Sequence, residues 1–214
     1  MPFSCLSSEI DGLDALMGGG IPSGDSLVLA GPTGSGKTTF AMQFVLAGLQ
    51  AGESAVVVVF EERPDVHLAR AARFSPAFAE AAASGRLRII YPQPLDLSVD
   101  ETLQEIRDAV SAMTATHVVI DSVNGFEMAL APTLREDFRE SLSRLIGTLT
   151  SLGVTMFSTV ETEAQDQATL TGYRVSFLTD IILSQRHIEI DIDHYARLVA
   201  QAPDGIVIHV ESIS

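Results

Sequence analysis

Up to Val160 the chain alternates short apolar runs with amphipathic stretches. Ser26–Ala30 (SLVLA) and Ala55–Phe60 (AVVVVF) are apolar almost throughout, the pattern of strands covered on both faces in a parallel sheet. Leu87–Tyr91, His117–Ile120 and Val154–Val160 read the same way, the first closed by Pro92 and the second ending in Asp121. Between them the period lengthens to that of a helix. A helix is expected from about Lys37 to Gln50, ended by Gly52, and another over Pro64–Phe74. Ser98 and Glu101 form a capping-box pattern ahead of Leu103, Ile106, Val110 and Met113 on one helical face. Residues 134–151 place Phe138, Leu142, Leu145, Ile146 and Leu149 on another.

After Asp180 the rhythm changes. Ile181–Leu183, His187–Ile190, Arg197–Ala200 and Ile206–Val210 follow one another without helices, and Pro203-Asp204-Gly205 is a turn, so antiparallel hairpins are expected. The pattern predicts an α/β domain over residues 1–214: a mostly parallel central sheet flanked by helices, with antiparallel C-terminal hairpins.

Composition narrows the function classes. The apolar fraction is 46% and the charged fraction 19%, ordinary for a globular core. The longest apolar runs are too short to span a bilayer. Met1–Glu9 lacks the basic and apolar regions of a secretory signal, and the single cysteine, Cys5, cannot form an internal disulfide. A cytoplasmic protein without a membrane partner is expected. Thirteen basic residues stand against 28 acidic ones, a net charge of -15. Nucleic acid is not an expected partner, because backbone binding needs clustered Lys and Arg. The acidic stretch Glu161–Gln167 agrees with that. Only one of the basic residues, Lys37, is a lysine.

That lysine sits in Gly31-Pro32-Thr33-Gly34-Ser35-Gly36-Lys37-Thr38, a complete match to the phosphate-binding pattern G-x-x-x-x-G-K-[ST]. Glycines let backbone N–H groups turn toward phosphate oxygens, and the following helix presents its positive end there. In such loops the lysine reaches the β- and γ-phosphates and the hydroxyl ligates magnesium. Gly31 to Thr38, with Thr39, are therefore the expected nucleotide-binding residues, and ATP with Mg2+ the expected ligands. A dinucleotide reading of Gly31–Gly36 fails on spacing.

Asp121 ends an apolar strand, as a second magnesium-holding residue beside Thr38 should; the other reading is a cap on the turn-rich Asp121-Ser-Val-Asn-Gly125. Glu61 and Glu62 end the strand after the phosphate-loop helix, where a carboxylate could orient or deprotonate an attacking water. An exposed acidic pair before Arg63-Pro64 is the competing reading.

Gly12-Leu-Asp14, Gly18-Gly-Gly-Ile-Pro-Ser-Gly24, the phosphate loop, Val59-Phe-Glu-Glu-Arg-Pro64 and Val118-Val-Ile-Asp-Ser122 occur in a familiar order. Ser176–Leu183 and Arg186–Asp191 extend the set. The chain resembles the KaiC-like branch of RecA-type ATPases from about residue 8 to 191. The resemblance implies a RecA-like core, assembly into a homo-oligomer, usually a hexameric ring with ATP at subunit interfaces, and Glu61 and Glu62 as the catalytic pair. Such proteins carry a Lys-x-Arg-Gly segment that reaches the neighbouring subunit's site. Here the corresponding run is Tyr195 to Ile208, with Ala200 and Ala202 at the finger positions, and about twenty further residues are absent. Arg197 is the substitute if the strand slips. Loss of a trans finger costs about 10³-fold or more in turnover while leaving binding to the loop and magnesium. Ser176 falls where the clock ATPase carries a phosphorylated serine, but Phe177 replaces the adjoining threonine; a capping or buried serine is the other reading. The five histidines have no metal-ligand spacing.

The leading expectation is a slow ATPase acting as an oligomeric, nucleotide-dependent regulator, with an unidentified protein partner allowed. The alternative is a non-catalytic ATP-binding module.

Overall fold

The computed structural model of the protein describes residues 4–10, 12–92, 99–130, 135–162, 179–185 and 209–212. Its centre is a sheet whose strands are β3 (Ser26–Gly31), β4 (Ala55–Val59), β5 (Leu87–Ile90), β6 (His117–Asp121), β7 (Thr155–Glu161), β8 (Ile181–Ser184) and β9 (His209–Ser212), in the spatial order β5-β4-β6-β7-β3-β8-β9. The first six run parallel and β9 pairs antiparallel to β8 at the edge. A separate antiparallel pair, β1 (Cys5–Leu6) with β2 (Ile21–Pro22), brackets the short helix α1 (Leu13–Leu16).

Helices cover both faces, which is why the strands are apolar throughout. On one side α2 (Lys37–Gln50), α3 (Pro64–Phe74) and α4 (Ala77–Ala83) bury Phe40, Phe44, Ala71 and Phe78 against Leu27, Leu29, Val57, Val119 and Phe157. On the other, α5 (Val99–Met113), α6 (Val123–Leu130) and α7 (Arg135–Ser151) bury Ile106, Val110, Phe126, Leu142, Leu145 and Leu149 against Val56, Val58, Val118, Ile120 and Met156. Alternate residues of β4 thus face opposite layers, and burying each aliphatic side chain contributes about 1.5–3 kcal/mol.

Strands β3 to β8 and the long helices lie within a residue or two of the positions predicted, and α3 matches its predicted ends, whereas β9 shares only His209 and Val210 with the strand expected over Ile206–Val210. The parallel sheet runs one strand further than the pattern suggested, since β8 pairs with β3 as well as with β9. The pattern gave no sign of α4, α6 or the β1–β2 pair. Ser98, the strands expected at 187–190 and 197–200, Ser176, Arg197 and the side chain of Phe138 lie outside the described residues. No helix among the described residues is long and apolar enough to cross a membrane.

Two registers gather the strand ends. Gly31 pairs with Glu161 and Val59 with Asp121, so β3, β4, β6 and β7 end together at one edge. β3 continues into α2, which returns the chain past β7 and β6 to β4. The crevice at such a reversal is where open α/β sheets bind ligands.

Candidate functional site

The loop from Gly31 to Gly36 joins β3 to α2 with two glycines in left-handed conformations, Gly34 at φ 77° and Gly36 at φ 91°. A side chain there would be strained. Gly36 occupies the N-cap of α2 without a side-chain cap, which leaves the helix's first N–H groups facing the loop. Gly31 is constrained by space instead: a Cβ would come within 2.8 Å of Ser35 Oγ and 3.0 Å of Gln185 Cβ. Lys37 curls its ammonium back over the loop, donating to the carbonyls of Gly31 (2.9 Å) and Pro32 (2.8 Å). Burial pushes the Lys37 pKa down from its ordinary value, against the charges of Glu161, Asp121 and Glu61, which raise it.

Asp121, at the end of β6, accepts from Thr38 Oγ1 at 2.8 Å through Oδ2 and from Thr159 Oγ1 through Oδ1. The cap on the following helix comes from the next residue, Ser122, whose Oγ accepts from Gly125 N at 3.1 Å. Gly125 lies inside α6 because a Cβ there would approach Phe60 Cβ to 3.0 Å, and Phe60 stacks on Phe126 with centroids 4.7 Å apart.

Glu61 and Glu62 follow β4 and differ in their surroundings. Glu61 is exposed. Glu62 is pinned to α3: its Oε1 accepts from His67 Nδ1 at 2.6 Å and from Arg70 Nη2 at 2.5 Å. His67 is buried, and a carboxylate can only accept, so the ring carries its proton on Nδ1.

Lys37, Thr38, Val59, Glu61, Glu62, Arg70, Asp121, Ser122 and Glu161 line one cleft of about 240 Å³. Of the residues singled out in the sequence it gathers the side chains of Lys37, Thr38, Glu61, Glu62 and Asp121; Thr39 does not line it. It also holds two charged residues that the sequence does not assign to a site. Glu161, in sequence only part of an acidic edge, accepts from Thr33 Oγ1, while its N–H donates to Asn124 Oδ1 at 2.8 Å. Arg70 is, in sequence, no more than a helical position: Glu62 precedes α3, so no helical spacing links the two, and no local signal singles Arg70 out.

The donor set suits a hard, hydrated cation. Among the described residues no cluster of three or more His, Cys, Asp or Glu forms a closed metal cage. A hydroxyl and a carboxylate converging beside a phosphate loop are what magnesium uses when it keeps most of its waters.

Comparison with known proteins agrees with this fold. A family model described as the ATPase KaiC matches residues 6–199. The circadian clock protein KaiC3 of Synechocystis is 30% identical over 196 residues, covering 87% of this chain and 38% of that protein. The circadian clock oscillator protein KaiC of Thermostichus vulcanus is 30% identical over 187 residues, covering 86% and 35%. The chain thus spans well under half the length of these clock relatives. The crystal structure of a KaiC-like protein from the hyperthermophilic archaeon Pyrococcus horikoshii superposes with a TM-score of 0.77 at 31% identity, covering 89% of this chain and 84% of that one.

Proposed function

Because the chain belongs to the KaiC family of ATPases and has its RecA-like fold, we propose that it binds ATP in the cleft at the ends of β3, β4, β6 and β7 and hydrolyses it slowly. The observation that carries this reading is the convergence of Lys37 and Thr38 from α2 with Glu61 and Asp121 from two other strand ends on one cleft.

In this reading Gly31 to Thr39 wrap the phosphates, with backbone N–H groups of the loop and the start of α2 turned to them. Lys37 exchanges the carbonyls of Gly31 and Pro32 for phosphate oxygens. Thr38 and Asp121 would hold magnesium, which supplies charge neutralisation at the phosphates. Glu61 orients a water and takes its proton as the water oxygen bonds to the γ-phosphorus. The bond from that phosphorus to the bridging oxygen breaks, and its electron pair leaves with ADP. Glu62, held by the buried His67, fixes the strand end from which Glu61 projects.

Residues 1–214 act as one ATPase domain in this proposal, working as a homo-oligomer whose nucleotide state regulates a partner protein in the cytoplasm. Family membership supports assembly; light scattering with and without ATP measures it. The test of the enzyme is magnesium-dependent phosphate release from ATP, beside Lys37→Ala and Glu61→Gln. Release that disappears in both variants supports turnover in this cleft. ATP binding without release above the Glu61→Gln background would make the protein a nucleotide-held interaction module.

A further inference from the structure

We propose that Arg70 is a catalytic cation supplied in cis, which leaves Glu62 for the γ-phosphate when a nucleoside triphosphate enters the cleft. The inference rests on the proposed nucleotide binding and adds a residue that neither the motif nor the strand ends identify.

The charge of the cleft motivates it. Four carboxylates, Glu61, Glu62, Asp121 and Glu161, face it, with two cations, Lys37 and Arg70. Lys37 rises from the floor, on the first turn of α2, and its ammonium already lies over the loop at Gly31 and Pro32. Arg70 comes from α3, which follows Glu61 and Glu62, and so enters from the side of the proposed water-activating carboxylate. Arg63, just before the start of α3, is turned elsewhere: it pairs with Asp65 on the surface and does not line the cleft. Arg70 is therefore the only arginine among the described residues that lines the cleft.

Its present contacts are built to be exchanged. The guanidinium side chain is 49% exposed and meets Glu62 and His67 through Nη2 alone among the described residues. An ion pair whose guanidinium is half exposed is screened by solvent and worth little. A phosphoryl group offers bidentate, charge-assisted bonds to the same planar fork. Glu62 is not stranded by the exchange, because the same oxygen keeps its bond to the buried His67 ring. The buried histidine holds the carboxylate and the half-exposed arginine is free to swing. As the water attacks, charge grows on the γ-phosphoryl oxygens, and a positioned arginine stabilises it.

The test compares affinities for the non-hydrolysable triphosphate β,γ-imido-ATP and for ADP, both with magnesium, in wild type, Arg70→Gln and Arg70→Lys. Wild type should prefer the triphosphate. Arg70→Gln should lose about tenfold of that preference with ADP affinity unchanged, and Arg70→Lys should recover part of it. The wild-type preference should survive dilution, since the group acts within its own chain. An unchanged preference in Arg70→Gln, an equal loss for both nucleotides, or a preference that vanishes on dilution overturns the assignment and leaves nucleotide binding intact. Wild type that binds neither nucleotide overturns both readings. An Arg70-dependent preference without phosphate release upholds Arg70 at the γ-phosphate and rejects turnover alone.

Discussion

Thr38 donates its hydroxyl to Asp121 at 2.8 Å, joining the first turn of α2 to the last residue of β6. Each side chain fixes the other's direction, and Thr159 holds the second carboxylate oxygen. The pair faces the cleft as one oxygen-rich edge. Asp121→Asn preserves size and an acceptor but removes the charge, so its effect should appear only in the presence of magnesium. We expect magnesium-ATP affinity to fall by about tenfold or more, with metal-free binding little changed. Nucleotide titrations with magnesium and with chelator check this. Equal losses in both would mean that Asp121 acts on folding rather than on the cation.

The two adjacent glutamates should separate in kinetics. Glu61 is exposed and has no role in holding α3, so Glu61→Gln should cost about 10²–10⁴-fold in kcat with KM and melting temperature nearly unchanged. Glu62→Gln weakens two charge-assisted contacts to α3 and should lower stability by about 1 kcal/mol, with a smaller loss in kcat. Thermal melts beside steady-state rates distinguish the pair. Interchanged effects would assign water activation to Glu62.

Contiguity explains how much of this is legible in the sequence. The phosphate loop is eight consecutive residues, and β3, β4 and β6 announce themselves because both faces are covered. Asp121 is readable as an aspartate ending such a strand. Glu161 and Arg70 are not, because their places depend on long-range geometry: the β3–β7 register that pairs Gly31 with Glu161, and the rotation of α3 about its axis. Helix α6 is hidden for a different reason. Ser122-Val-Asn-Gly125 has turn propensities, and the helix forms because Gly125 lets it close on Phe60. Tertiary packing there overrides local preference.

Gly48 offers a test of packing away from the cleft. It lies inside α2, where alanine would ordinarily be the better helix former. A Cβ at this position would meet the His117 ring at 2.6–2.8 Å, and that ring is buried beside Phe44. Overpacking should outweigh propensity, so Gly48→Ala should destabilise by about 1–3 kcal/mol. Urea unfolding should show a lower midpoint with an unchanged slope. A stabilised variant would show that the ring has room to move.

His117 itself should make the fold sensitive to mild acid. It begins β6, the strand that ends in Asp121, and is 1% exposed, with Nδ1 at 3.0 Å from Glu53 Oε2. The groups facing it are that carboxylate, the Thr116 hydroxyl (which donates to Glu53 at 2.6 Å) and the Phe44 ring. Burial pushes the His117 pKa below its ordinary value, and the opposing pull of Glu53 does not restore it. The unfolded chain therefore takes up this proton at about pH 6.5, while the folded protein resists until lower pH. The stabilisation from a neutral His117 is complete above the unfolded value and is lost as pH falls from there toward the folded one. Urea midpoints at about pH 7.5 and about pH 5.5 should show wild type losing stability in acid. His117→Gln should be less stable at the higher pH yet lose less on acidification, because the titrating ring is gone. Equal acid losses in the two proteins would move the sensitivity to another group and leave His117 with a packing role alone.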